Sequence, residues 1–257
     1  MKKSFATQSF IIILTFLVAY YGNKVFPWDF KPVITGNANL RLLWVFAWWT
    51  LPTLIITGFL FGFRNLAGAL GINRSPLKGL AFAAMTVWPM LVSSALIAGF
   101  EVNVEVNELL RKTLFAGFIE EYMFRGFLFG ILFRKVGWGF IPAGLLGALF
   151  FGMGHIYQGG NFTQSLGIFL ITAMGALWFA WLYIEWNNNL WIPIFLHILM
   201  NLSWSLFDVS QNALGDVYLN IFRTVTIALS VILTIRQAKR NGFHINKGNL
   251  WVNSVIN

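Results

Sequence analysis

The sequence predicts an all-α, polytopic integral membrane protein of about eight transmembrane helices in one bundle, and three observations predict it. Of its 257 residues, 58% are hydrophobic, 18% aromatic and only 11% charged, with a mean hydropathy of +0.70, which excludes a water-soluble globule. The gaps between charges match the roughly 20 residues a helix needs to cross a bilayer. The apolar stretches are solid blocks, not ten-residue alternating segments, so helices rather than a β-barrel satisfy the backbone in lipid.

Taken in order, residues 4–23, 42–63, 79–100 and 186–207 contain no Asp, Glu, Lys or Arg. The stretch from Val136 to Ile184 has none either, and the polar, Gly-rich His155-Ile-Tyr-Gln-Gly-Gly-Asn161 divides it into two spans. Two further spans carry internal charges: 113–133 holds Glu120, Glu121 and Arg125, and 217–235 holds Arg223. The start, Met-Lys-Lys before an apolar run, resembles a signal peptide but has no small-residue cleavage site before Tyr20-Tyr21-Gly22, so it reads as a retained first helix. Residues 1–237 read as a single transmembrane domain with its chemistry within 113–205, followed by a polar, flexible tail, 238–257. The first connection, Asn23 to Arg41, holds Pro27-Trp28-Asp29 and Pro32 and reads as an irregular interfacial loop.

With no cysteine in the chain, disulfides, thiol nucleophiles and Cys-ligated zinc are excluded, leaving carboxylates, imidazoles, amides and hydroxyls for any chemistry. The net charge of +9 reflects basic loops, not a nucleic-acid surface. With a cytoplasmic N-terminus, the inner segments collect Lys2, Lys3, Arg64, Arg74, Lys78, Arg134, Lys135, Arg236, Lys239, Arg240 and Lys247; the outer loops collect only Lys24, Lys31, Arg41, Arg111 and Lys112. That asymmetry places both termini in the cytoplasm.

Polar groups at membrane depth are costly and mark function by default. In Phe118-Ile-Glu120-Glu121-Tyr122-Met-Phe124-Arg125 the spacing stacks Glu121 and Arg125 at i, i+4 as an ion pair, leaving Glu120 about 100° around the helix without a local partner. A buried carboxylate so placed suits proton transfer. His155 ends Phe151-Gly-Met-Gly154-His155, and His197 and Asn201 again stand at i, i+4, an imidazole and an amide able to donate to one oxyanion. At about 1.5 Å per residue, Glu120 lies roughly 12 Å below Lys112, and His155 roughly 7 Å below the Gly159-Gly160 break. Counted from Asp208, Asn201 lies roughly 10 Å down and His197 roughly 16 Å. These are the same-side ends of their helices, so all four groups fall in one layer. Arg223 is expected to pair with Asp208 or Asp216 or to snorkel, His244 to be exposed, and Tyr122 and Tyr157 to pack.

The ordered segments Glu120-Glu121-Tyr-Met-Phe-Arg125, Phe151-Gly-Met-Gly-His155 and His197-Ile-Leu-Met-Asn201 resemble the CPBP family, the CaaX proteases and bacteriocin-processing proteins, also called the Abi or type II CaaX prenyl protease family. The resemblance covers roughly Thr113 to Ser205. It implies an intramembrane peptidase in which Glu120 and His155 activate a water, His197 and Asn201 stabilise the oxyanion, and Glu121 and Arg125 shape the site. It also implies a peptide or protein substrate, lipidated or secreted, and a prokaryotic plasma membrane; no cofactor is expected. A two-His, one-carboxylate zinc set of Glu120, His155 and His197 is the mechanistic alternative. Two functional alternatives stay open: a non-catalytic immunity or regulatory protein that binds a peptide or partner enzyme in the same groove, and a transporter or proton channel, against which the single polar layer argues.

Overall fold

The computed structural model of the chain describes residues 4–25, 38–102 and 104–253. Helix α1 (Phe5–Val25) is followed by α2 (Ala38–Phe61), the short α3 (Leu66–Leu70) and α4 (Pro76–Ile97). Helix α5 runs continuously through 106–136, and α6 (Phe140–Met153), α7 (Phe162–Glu185), α8 (Trp191–Ser205) and α9 (Val217–Asn241) complete the bundle. Each expected span is therefore a helix, and the described residues contain no strand, only an isolated bridge between Trp138 and Val252. The prolines expected to break the first connection, Pro27 and Pro32, lie outside the described residues.

Among the described residues six helices are long and apolar enough to cross a membrane: α1, α2, α4, α6 with the turn after it, α7 and α9. The other two long helices depart from that pattern in different ways. Helix α5 carries charges, and α8 has only 15 residues, a length of about 22 Å against the roughly 30 Å hydrocarbon core. The shortfall of α8 is made up at its N-terminal end by residues 186–190, where Asn189 and Leu190 are buried. Leu190 N–H donates to the Gly71 carbonyl at 3.1 Å and Asn189 Nδ2 to Ser75 O at 3.0 Å, so this loop is satisfied by protein where water is scarce.

Helix α5 is the centre of the bundle. From Tyr122 to Phe133 its side chains are buried all round, as an apolar helix enclosed by neighbours must be. Ile12 and Phe16 of α1, Ala143 and Ala148 of α6 and Tyr183 of α7 pack on it. A second core joins Phe82, Val87 and Met90 of α4 to Phe179 and Leu182 of α7 and Ile192 and Leu196 of α8. Phe59, Trp88, Leu145 and Met174 point outward and exposed, the side lipid would cover.

Two expectations are corrected. The segment after residue 237 is not a free tail: α9 continues to Asn241, and residues 244–253 form a strap across the end of the bundle where α5, α7 and α9 stop. The buried Glu185 carboxylate accepts the N–H groups of His244 (3.1 Å) and Ile245 (3.0 Å). Gly139, Phe140 and Ile141 then donate to Trp251, Asn249 and Leu250, and Asn253 bonds Gly137 O and Phe133 O. His244 is half exposed, its Nδ1 3.7 Å from Glu185. Arg223 pairs with neither aspartate; it donates to the carbonyls of Ala213 (2.7 Å) and Leu214 (3.0 Å) and to Asn220, and lies over the Trp204 ring. Five guanidinium donors are better used by several converging acceptors than by one distant carboxylate, and Asp216 is already occupied capping α9 through Leu219 N.

Candidate active site

The site forms where α5, α6 and α8 converge. Helix α5 is wound in widened π-type turns at Arg111–Phe115, Tyr122–Phe129 and Leu132–Val136, a distortion often found at functional sites. Between the first two lies the regular turn Ala116–Glu121. There Gly117 lets α8 approach so closely that a Cβ would sit 2.6 Å from Ile198 Cγ1. That contact brings His197, one residue away on α8, beside the two carboxylates of α5.

Glu121 is fully buried and holds two partners on one oxygen: Oε1 lies 2.9 Å from Arg125 Nη1 and 2.7 Å from His197 Nδ1. The i, i+4 ion pair is present as the spacing requires, and the histidine makes it a triad that joins two helices. Oε2 of Glu121 has no hydrogen-bond partner among the described residues. Arg125 is buried too, its guanidinium 4.4 Å from the Phe151 ring centre and 5.3 Å from that of Phe179. Two aromatic faces thus share a charge that water does not reach.

Glu120, 23% exposed, faces the opposite edge of the imidazole. Its Oε2 lies 3.9 Å from His197 Nε2 and 4.0 Å from His155 Nε2. Helix α6 ends just before His155; at Gly154 a Cβ would collide with the hydroxyl of Tyr20 from α1, so glycine is the residue that fits. The His155 ring rests on Phe151 with centroids 4.5 Å apart, and its Nδ1 donates to Phe151 O at 2.7 Å. A carbonyl can only accept, which fixes the proton on Nδ1; the Glu121 carboxylate does the same for His197. Both Nε2 atoms therefore turn towards Glu120, at separations that one bridging water spans.

Glu120, Glu121, Arg125, His155 and His197 are thus gathered from three helices. Asn201 stands one turn beyond His197, and its Nδ2 donates to the Lys112 carbonyl at 2.9 Å, beside the first π-type stretch. One amide hydrogen is spent in tying α8 to α5, and one remains. Of the two tyrosines expected to pack, Tyr122 does so, buried with its hydroxyl 2.7 Å from Thr53 Oγ1, whereas Tyr157 does not, because it stands in the short turn after α6 and is exposed. The carboxylate–imidazole contact of Glu121 with His197, the Arg125 contact with Phe179 and the approach of Tyr20 have no signature in local spacing, because each joins distant parts of the chain. The donor types suit zinc, but ligands at about 2.0–2.2 Å from a tetrahedral ion sit only ~3.4 Å apart. The observed gaps are wider, and among the described residues no three His, Asp or Glu side chains form a group able to hold a metal ion.

Comparison with known proteins falls on the same region. Residues 102–203 match the family model described as type II CAAX prenyl endopeptidase Rce1-like. A protein of Bacillus subtilis (strain 168) named YdiL, described as a membrane peptidase, is 37% identical over 83 residues, which are 32% of this chain and 30% of that protein. The chain therefore aligns with less than a third of that relative's length. No solved structure matches the chain. The matched segment contains α5, α6, α7 and nearly all of α8, hence every polar group of the cluster, and over this segment the chain is similar to the Rce1-like type II CAAX prenyl endopeptidases.

Proposed function

We infer that the protein is an intramembrane endopeptidase that hydrolyses a peptide bond of a membrane-associated, lipidated or secreted peptide by a metal-independent, glutamate-based route. The observation that carries this reading is the convergence of two Nδ1-anchored imidazoles on one partly exposed carboxylate, Glu120. Glu120 and His155 hold a water between them and take its proton as its oxygen attacks the scissile carbonyl. His197, in its protonated form backed by Glu121, donates Nε2–H to the oxyanion, and the remaining amide hydrogen of Asn201 is the second donor. The proton held by the Glu120 and His155 pair passes to the leaving amine, and the carbonyl re-forms. Arg125 pairs with the Glu121 oxygen that holds His197 and so positions His197 without touching the reacting atoms.

The excess of basic residues in the inner loops orients the termini to the cytoplasm and opens the site to the outer leaflet. Prenyl-processing members of the family work at the cytoplasmic face, so a secreted or membrane-anchored peptide is the better substrate for this chain.

The test is processing of a co-expressed panel of lipidated and secreted peptides at matched protein levels. Glu120→Gln, His155→Ala and His197→Ala are each expected to lower cleavage by about 100-fold or more, with no response to chelator. Cleavage that stops with chelator and returns with zinc would replace the glutamate route by a metal one, and cleavage that survives Glu120→Gln would remove the catalytic assignment.

A further inference from the structure

At the inner end of the bundle, far along α5 and α8 from the polar cluster, lies an open cavity of about 400 Å³. It is formed by the start of α4, the α7–α8 loop and the end of α9. Its polar rim is Lys78, Asn187, Gln237 and Asn241, and its floor includes Phe82 and Met85. Among the described residues none of these four polar side chains has a hydrogen-bond or ion-pair partner. Asn189 and Trp186, which also border the space, are already committed to Ser75 O and Thr234 Oγ1 and serve as wall.

The arrangement is amphipathic in one direction. Lys78 stands in the first turn of α4, at the positive end of that 22-residue helix. Three amides beside it can donate to oxygens that the ammonium neutralises. From there Met85, Trp88 and Val92 continue along α4 at spacings of three and four residues, each about half exposed to the outside of the bundle. Polar donors at the membrane–water boundary and an apolar track leading into the bilayer fit a molecule with a phosphate head and an acyl tail, and the track has no use for free phosphate. The last turn of α9, which supplies Asn241, also carries Lys239 and Arg240, adding to the positive field at the rim.

We propose that this cavity binds the headgroup of an anionic phospholipid of the inner leaflet, with one acyl chain lying along the Met85, Trp88 and Val92 track. A bound headgroup would brace α4 against α9 and the α7–α8 loop. The assignment is independent of the peptidase reading, because it needs no substrate.

The full chain purified in a neutral detergent gives the test, with phosphatidylglycerol and phosphatidylcholine titrated and retention of each read by native mass spectrometry. Wild type is expected to prefer phosphatidylglycerol, and Lys78→Gln to lower that preference about five-fold, the worth of one lysine at an anionic surface. Lys239→Gln, outside the lining, is expected to change it less, and Met85→Asp to weaken retention of the lipid while leaving competition by glycerophosphoglycerol intact. Each variant is first checked for an unchanged melting temperature in detergent alone. Equal retention of the two lipids, equal losses in the Lys78 and Lys239 variants, or full displacement by inorganic phosphate would overturn the proposal.

Discussion

A carboxylate with no exposure, such as Glu121, is tolerable in a bilayer only through its partners, and here both partners meet the same oxygen. Removing Arg125 would strand that charge. Arg125→Met is expected to destabilise the folded protein by about 3–5 kcal/mol, measured as thermal unfolding in detergent. The double variant Glu121→Gln with Arg125→Met is expected to be more stable than Arg125→Met alone, since it leaves no orphan charge; a double variant that is worse than both singles would refute the pairing as the source of the cost. The i, i+4 pair was legible because it is local. The bond from Glu121 to His197 was not, because it spans 76 positions and depends on how two helices roll against each other. Depth alone placed His155, His197 and Glu120 in one layer but did not bring them together, which the packing of α5, α6 and α8 does, and the committed amide of Asn201 depends on where α5 widens.

Between α5 and α8 the controlling dimension is the missing side chain at Gly117. Gly117→Ala is expected to cost about 1–3 kcal/mol by overpacking against Ile198 and to lower cleavage by spreading Glu120 from His197. Ile198→Ala in the same chain is expected to recover part of both, read by melting and by substrate processing. If Ile198→Ala gives no relief, the spacing is not set there. At this scale the charge gaps revealed six of the eight long helices, and 113–133 and 217–235 were read as spans despite their internal charges, since membrane crossing imposes a length that the chain must show. They did not reveal the π-type turns of α5 or the 15 residues of α8, because both are settled by packing against neighbours and not by composition. The two helices that break the simple pattern supply the charged pair, Glu120 and one of the two histidines.

The bundle has two unlike ends. One end holds the reactive layer; in the proposed topology that end faces outward, so a cysteine placed at Gly160 is expected to react with an impermeant thiol reagent from outside the cell, and reaction only from the cytoplasm would invert the topology. The other end is closed by polar bonds: Arg134 Nη1 and Nη2 reach Ala69 O and Gly68 O at 3.0 Å each, and the strap joins Glu185 to the turn between α5 and α6. A chain ending at Asn241 is expected to lose about 1–3 kcal/mol for leaving the buried Glu185 without donors, seen as a lower melting temperature and faster amide exchange in 137–141. The strap was illegible because an Asn-rich segment reads as a loop, and what holds it, backbone bonds together with the distant Glu185 carboxylate and the Asn253 amide, leaves no local pattern.

The strap also sets an order of events. Asn253 closes onto Phe133 across 120 positions, and Trp138 bonds Ser9 across 129. During synthesis, every helix from α1 to α9 is already made before residues 244–253 emerge. The turn linking α5 to α6 therefore waits with Gly139, Phe140 and Ile141 lacking their final acceptors, so assembly passes through a stage in which the helices are inserted but the seam beneath the strap is unlatched.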